Sequence, residues 1–597
     1  MQGSADTSEL SASNRKLIFA TALLQGLLVY LLQAWPAVAD WSPLWRYLSF
    51  TLVLALPPMA IVSVAPRLAR SYWWLLLGYG ALLALLAAYR GSQCTPDALI
   101  HCKTPLSFIL SIGIASFIAA FLLRACATGS AQLRRPDYPA LFHFSWDNAL
   151  TAALTLTFVA IFWLILFLWQ ALFKLVGINF FQELFRQDWF AYPVSWLVGG
   201  CGAILFRAQQ GFVLTLKRLL RTMLVALLPL LAVLVIVFLA TLPATGLQPV
   251  WDTGRGSALL LWLVALLLFF TNGVIQDEQP FSRYPKLLNR ILLLALAVAP
   301  IYALIAHYGL YLRVVQYGWT PERLWGFTAA LTLTLVALSY CLAILRRGAH
   351  WTGWLRKLNT GLAFWVLAVC LVTQSPLADF WKISADSQVA RLQDGRVAAQ
   401  DFDFYFLRRH LGRPGLEAIQ QLAQRPEISA DAKLASYLGK LQQPGDPLWK
   451  LRDNPAAQAQ RNAALAQLPI YPEGATLPVE VTNNLQLVSR QCSGPQPRCF
   501  WLRQDINGDG VDETLLFAGA QSRRQQIILF TPRDSSNDTA ALAPAAGTPR
   551  LSYYPLPAPM DFAELRKTIA SGNFRTAPTR WQALYAGDTL LFDPGAR

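Results

Sequence analysis

Long apolar stretches dominate the first two-thirds of the chain. Eleven reach or approach the length of a bilayer-crossing helix: residues 17–34, 47–64, 72–88, 106–123, 149–171, 192–206, 222–242, 258–275, 291–306, 324–345 and 358–373. A hydrocarbon core of roughly 30 Å takes about 20 helical residues, and lipid offers no partner to an exposed peptide group. Each stretch therefore predicts one spanning helix, the sixth and ninth being short. Past residue 376 the pattern changes. Residues 388–398, 402–411 and 416–423 place apolar side chains at three- and four-residue spacing, which predicts helices, with breaks at Gly412-Arg-Pro-Gly415 and Pro444-Gly445. The apolar run Phe402, Phe404, Tyr405, Phe406, Leu407 predicts packing within these helices or docking on a membrane surface. From about residue 476 short runs between polar turns predict strands at 485–489, 500–503, 514–517, 526–530 and 551–554, and 532–549 reads as a mobile loop. The expected fold is an α-helical multi-spanning membrane bundle followed by a soluble α+β domain, divided as 1–376, 377–475 and 476–597.

Composition strengthens this reading. Of 597 residues, 55% are apolar and only 14% charged, and mean hydropathy is +0.38. A soluble enzyme or a disordered tail is excluded on those grounds. The net charge of +16 raises the question of nucleic acid, and its distribution answers it. Residues 1–376 carry 26 Lys/Arg against 12 Asp/Glu, whereas residues 377–597 carry 24 against 22. The excess lies between apolar segments, where basic residues mark cytoplasmic loops; no nucleic-acid partner is expected. With the N-terminus inside, cytoplasmic segments hold 18 of those 26 basic residues and the opposite loops hold eight. An odd number of spans then places residues 377–597 outside, in a periplasm-like compartment. The first stretch is expected to stay as a span rather than be cleaved as a signal peptide.

The cysteines agree with that topology. Cys94 and Cys102 share one outside loop, and Cys492 and Cys499 lie in the outside domain, spacings that predict disulfides over free thiols or a zinc knuckle. The span interiors lack Asp, Glu, Lys and His, which disfavours a proton-driven pump. Gln25, Gln33, Ser111, Thr155, Ser195, Thr271, Asn272 and Ser339 predict interhelical hydrogen bonds, and Gly199, Gly200 and Gly202 close helix packing. Pro57-Pro58, Pro193, Pro229 and Pro300 predict kinks or breaks around a cavity. Asp147 and Asn148, within Phe144-Ser-Trp-Asp-Asn, stand just before the fifth span. Two readings stand for them: Asp147 as a helix cap with Trp146 anchored at the interface, or a polar patch with Arg134, Arg135 and His143 that binds a headgroup or partner.

The sharpest motif is Asp505-Ile-Asn-Gly-Asp-Gly-Val-Asp-Glu513. Oxygen donors at alternate positions around a glycine are how a short loop wraps Ca²⁺. Asp505, Asn507 and Asp509 would give side-chain oxygens, Val511 its carbonyl, and Glu513 would close a structural site. An EF-hand wants Glu where Leu516 stands; the spacing instead resembles the calcium loops of FG-GAP-type repeats, in a single copy. A plain hairpin turn built on Asn507-Gly508 and Asp509-Gly510 is the alternative.

The spans around Trp146-Asp-Asn, the run Phe162-Trp-Leu-Ile-Leu-Phe-Leu-Trp169 and the later Asp401-Phe-Asp-Phe-Tyr-Phe-Leu-Arg-Arg-His-Leu-Gly412 resemble an uncharacterised family of bacterial multi-spanning inner-membrane proteins, a domain of unknown function. The resemblance covers roughly residues 15–425. It implies a bacterial inner membrane and transfers no catalytic residue. Three functions follow as expectations. The first is a non-enzymatic sensor, scaffold or assembly factor whose periplasmic domain meets a protein or envelope glycan, with the lipid bilayer as the other partner. The second is a transporter of a small molecule or lipid. The third is a glycosyltransferase using a lipid-linked donor, which needs an acidic residue in the first outside loop; Asp40 is the one candidate there. No P-loop, His-Glu-x-x-His or Gly-x-Ser-x-Gly occurs, and an enzyme is not the expectation.

Overall fold

A computed structural model describes residues 10–64, 70–95, 105–127, 138–275, 284–347, 351–443, 454–488, 492, 498–506, 510–519, 526–531, 550–555, 562–573, 584–586 and 589–592. Within them eleven helices are long and apolar enough to cross a membrane. They are α1 (Ala12–Ala34), α2 (Pro43–Ser63), α3 (Arg70–Ser92), α4 (Leu106–Ala127), α5 (Tyr138–Leu175) and α6 (Asp188–Ala208). Then follow α7 (Gln210–Thr245), α8 (Gly256–Ile275), α9 (Lys286–Tyr317), α10 (Pro321–Arg347) and α11 (Trp351–Val372). All eleven predicted stretches are found. The sixth and ninth are longer than the apolar runs suggested, because polar residues such as Asp188 and Lys286 continue the helices beyond those runs. The prolines sit inside continuous helices.

Pro57 shows how such a helix stays satisfied. It has no N–H for the carbonyl of Val53, four residues back. That carbonyl instead accepts Nε2 of Gln25 from α1 at 3.0 Å, and Gln25 is fully buried. Other predicted polar bridges are present. Trp163 Nε1 donates to Ser195 across α5 and α6, and Gln374 Nε2 donates to Ser111. The Tyr340 hydroxyl donates to Asn272 at 2.6 Å, while Asn359 Nδ2 donates to Asn272 and to the Tyr138 hydroxyl. Thr271 and Ser339 depart from expectation and bond back to carbonyls of their own helices, Leu267 and Leu335.

Small residues set the closest approaches. A Cβ on Gly200 of α6 would lie 2.4 Å from that of Ala22 on α1, and one on Gly26 would lie 2.7 Å from Cα of Pro193. A Cβ on Gly202 would lie 3.1 Å from the Phe158 ring, while one on Gly199 would meet nothing closer than 3.9 Å. Helices α7 to α11 share one continuous core, with Ala295, Ala299, Tyr302 and Ala306 of α9 at its centre. Helices α1 to α6 bury several smaller, separate clusters instead.

The chain forms two compact units: Met1–Val397 with Phe406–Leu422 and Gln442–Gly445, and Ala398–Tyr405 with Ala423–Leu441 and Asp446–Arg597. In the first, helix α12 (Phe380–Gln393) follows the spans. Its Gln388 and Arg391 donate to the carbonyls of Val315, Gln316, Tyr317 and Trp319, closing the C-terminal end of α9. Short helices α13 (Phe404–His410) and α14 (Gly412–Ala423) come next. The predicted break at Gly412-Arg-Pro-Gly415 is in fact the first turn of α14, where a proline costs no hydrogen bond. Phe402, Phe404 and Leu407 are buried, in agreement with helix packing rather than membrane docking.

The second unit adds α15 (Ala432–Gln442), α16 (Pro455–Ala466) and a five-stranded mixed sheet in the order β1 (Ile470–Tyr471), β2 (Arg498–Gln504), β3 (Glu513–Gly519), β4 (Gln526–Thr531), β5 (Arg550–Pro555). Only β1 and β2 run parallel. Both faces of the sheet are buried. Trp501, Leu516 and Ile528 pack with Leu465, Val481 and Leu485 on one side; Phe500, Leu515 and Phe517 pack with Phe562 and Ile569 of α17 (Phe562–Ala570) on the other. The stretch 485–489, predicted as a strand, is instead a short 3-10 turn at Leu485–Leu487. Its Leu485 and Val488 are three residues apart and both reach the core, a spacing that suits a helical turn better than a pleat. The run 532–549 lies outside the described residues. Cys492 and Cys499 form the expected disulfide. Cys94 is also disulfide-bonded, and its predicted partner Cys102 lies outside the described residues.

Candidate functional site

A cavity of about 810 Å³ lies in the first half of the bundle, lined by α2, α4, the end of α1 and the early part of α5. Helix α2 contributes a stripe from Pro43 through Tyr47, Thr51, Leu54, Pro58 and Val62, and α4 a matching one through Phe108, Ile112, Ser116 and Ala120. Both follow three- and four-residue spacing, so each helix turns one face to the gap. Tyr47 and Phe108 meet edge to face at 5.5 Å and hold the two helices apart at one end. Leu54, Ile109 and Phe117 stay exposed along the walls. Gly113 sits in the lining with no atom within 4 Å of where its Cβ would stand. The lining is mostly apolar, with Thr51 and Ser116 partway along it, Gln33 and Arg46 at one end and Asn148 at the other.

Asn148 belongs to a buried polar cluster. Its Oδ1 accepts from Arg124 Nη1 at 2.8 Å; its Nδ2 is buried and has no hydrogen-bond partner. The neighbouring Asp147 carboxylate is bonded by Lys217 Nζ, lies 3.2 Å from His143 Nε2 and 3.8 Å from Arg124 Nη2. The Arg124 guanidinium also covers the Phe144 ring at 4.8 Å. One expectation is corrected here. Helix α5 begins at Tyr138, so Asp147 stands in its third turn and does not cap it. Trp146 is partly buried against the second-half core and stacks on the exposed ring of Phe269. Of the predicted patch, His143 joins Asp147, whereas Arg134 and Arg135 lie outside the described residues. Arg124 and Lys217 escaped the sequence reading because they stand 24 and 70 residues away from their partners, on other helices.

A second cavity, of about 420 Å³, lies on the side where α2 begins, among Thr95, Trp325, Trp381, Arg408, Arg409 and His410. Beside it, Arg90 and Asp379 form a buried ion pair at 3.5 Å. Tyr89 donates to Asp379 at 2.7 Å, and the Arg90 guanidinium stacks on Trp381 at 3.4 Å. Asp40 is exposed and is not in the lining of either cavity.

The acidic loop joins β2 to β3, antiparallel neighbours. Asp505 Oδ2 accepts the N–H of Gly510, and Glu513 Oε2 that of Ile506, both at 2.9 Å. Gly510 has φ +85°, open to glycine at little cost. Val511 is exposed, Glu513 buried, and Asp512 lies 3.9 Å from Arg503. Asn507 and Asp509 lie outside the described residues. Among the described residues no group of three or more His, Cys, Asp or Glu is placed to hold a metal.

Residues 17–422 match a family described as a domain of unknown function, DUF4153, and the chain belongs to it. Comparison with curated proteins and with solved structures returned no match.

Proposed function

We propose that this DUF4153 member is a lipid-handling protein of the bacterial inner membrane, with its N-terminus cytoplasmic and residues 377–597 periplasmic, and that the first-half cavity receives an amphiphile from the bilayer. The cavity carries the reading. Its 810 Å³ falls in the range of about 300–1,000 Å³ typical of ligand sites. Its lining is mostly apolar, which suits an acyl chain, and Arg46 is the one charged residue in it, so it offers no proton relay. Lipid tails are as apolar as leucine, and an acyl chain gains little simply by entering such a groove. Selection falls to the polar ends. The test is the lipid complement of the purified full-length protein. Gly113→Phe has room for its Cβ and fills the gap, whereas Gly78→Phe, on an open face of α3, is the control. Co-purified lipid should fall with the first and stay with the second; equal amounts in both would overturn the proposal.

A sensor, scaffold or assembly role draws on a different observation, a second unit packed on both sheet faces and tied by Cys492–Cys499. It is favoured if filling the cavity leaves the lipid complement unchanged. The glycosyltransferase reading draws no support from the described cavities, since Asp40 is in the lining of neither.

A further inference from the structure

We propose that the cavity holds an anionic bilayer phospholipid, its phosphate-bearing headgroup at Asn148 and Arg124 and an acyl chain running between α2 and α4 toward Arg46. This deepens the lipid-handling reading and rests on it. The lining runs from Pro43 to Val62 of α2, about 28 Å of helix at 1.5 Å per residue. That length accepts a headgroup and one extended chain.

The two ends decide which way the ligand lies. Asn148 is 2% exposed, and its Nδ2 donors have no partner. A chain terminus there would leave them unsatisfied, which a folded interior rarely tolerates. A phosphate oxygen would satisfy them. Charge points the same way: among the described residues, Arg124 and Lys217 both approach Asp147, the one carboxylate of the cluster. The local field therefore favours an anionic acceptor. Arg46 is only partly buried at the mouth of the cavity, so its guanidinium reaches water or the interface without a ligand. The polar demand is strict at Asn148 and loose at Arg46.

The experiment places full-length protein in nanodiscs of equal phosphatidylglycerol and phosphatidylcholine and analyses the lipid retained on extraction into detergent. Wild type should retain phosphatidylglycerol in clear excess. Asn148→Asp keeps an acceptor for Arg124, so the clamp on α5 survives, but it replaces the donors with a negative charge. Losing one charge-assisted hydrogen bond and gaining repulsion should lower that excess about tenfold or more. Ala152→Glu, on the same wall one turn further and exposed, should do likewise without touching the clamp; it decides the matter if Asn148→Asp does not fold. A wild-type phosphatidylglycerol excess in a folded variant overturns the headgroup assignment. If Gly113→Phe nevertheless strips the lipid, the lipid-handling reading stands and only this inference falls. An equal retention of both lipids by wild type also overturns it.

Discussion

Asp379→Ala isolates a single carboxylate on which three groups converge. Its Oδ1 lies 3.5 Å from Arg90 Nη1 and accepts the N–H of Trp381 at 2.9 Å as the cap of α12, and its Oδ2 takes the Tyr89 hydroxyl at 2.7 Å. The side chains of Arg90 and Asp379 are 6% and 3% exposed, so water cannot replace what the mutation removes. Stranding a buried guanidinium costs about 3–5 kcal/mol. Loss of the helix cap adds about 1 kcal/mol. The contributions share atoms and do not add simply, and the stacking of Arg90 on Trp381 survives, so the lower half of that range is the reasoned value. Arg90→Met should cost less, because the carboxylate keeps two donors. The double variant should be more stable than Asp379→Ala alone, since no charge is then left without a partner. Thermal aggregation of the full-length protein in detergent, followed by size-exclusion chromatography, reads the order directly. An Asp379→Ala melting point equal to wild type, or a double variant below it, would refute the buried-pair argument.

We also propose that Asp505, Asn507, Asp509, Val511 and Glu513 hold one structural Ca²⁺. At 100-fold saturation binding adds about 2.7 kcal/mol, so intact protein should melt higher in millimolar Ca²⁺ than in EDTA; Asp509→Ala should erase the difference and Asp512→Ala keep it, and no shift in wild type leaves the loop a plain turn. Reporter fusions after Gly129 and after Arg597 should read cytoplasmic and periplasmic; a cytoplasmic C-terminus would overturn the assigned orientation.

The spans were legible because lipid forces the issue: a backbone that cannot bond to water must be helical and apolar for its whole crossing. The helix ends were not. Arg90, Arg124 and Arg207 stand in the last turn or so of spanning helices, where a charge in the sequence looks like the start of a loop. Arg207 instead turns inward, donating to the carbonyls of Ile61 and Val64 at the end of α2. Asp147 and Asn148 stand out from their neighbours, but nothing in the local pattern signals that Arg124 is shared between them. Asp379 and Tyr89 are 290 residues apart, and nothing in either local pattern announces the other. Gln25 is an intermediate case. Its burial was expected as an interhelical bond, and Pro57 supplies the reason, yet only the fold shows that α1 brings the two together.

The contrast between the two halves of the bundle gives the cavity its meaning. On α9, alanines at 295, 299, 303 and 306 lie on one face and are buried to 1% or less, which lets neighbouring helices close fully. On α2 and α4, Tyr47, Phe108 and Ile112 pack in one buried cluster, and beyond it Phe50, Leu54, Ile109 and Phe117 line an open gap. In water such a gap would be collapsed by the hydrophobic effect. In a bilayer that drive is missing, because a lipid tail fills the space as well as a leucine does. A gap between spans is thus stable whenever a lipid can enter it, and the large side chains that line it act as the walls of a site. What then separates a specific site from a generic crevice is a polar group that an ordinary tail cannot satisfy. Among the residues lining this cavity, Asn148 is that group.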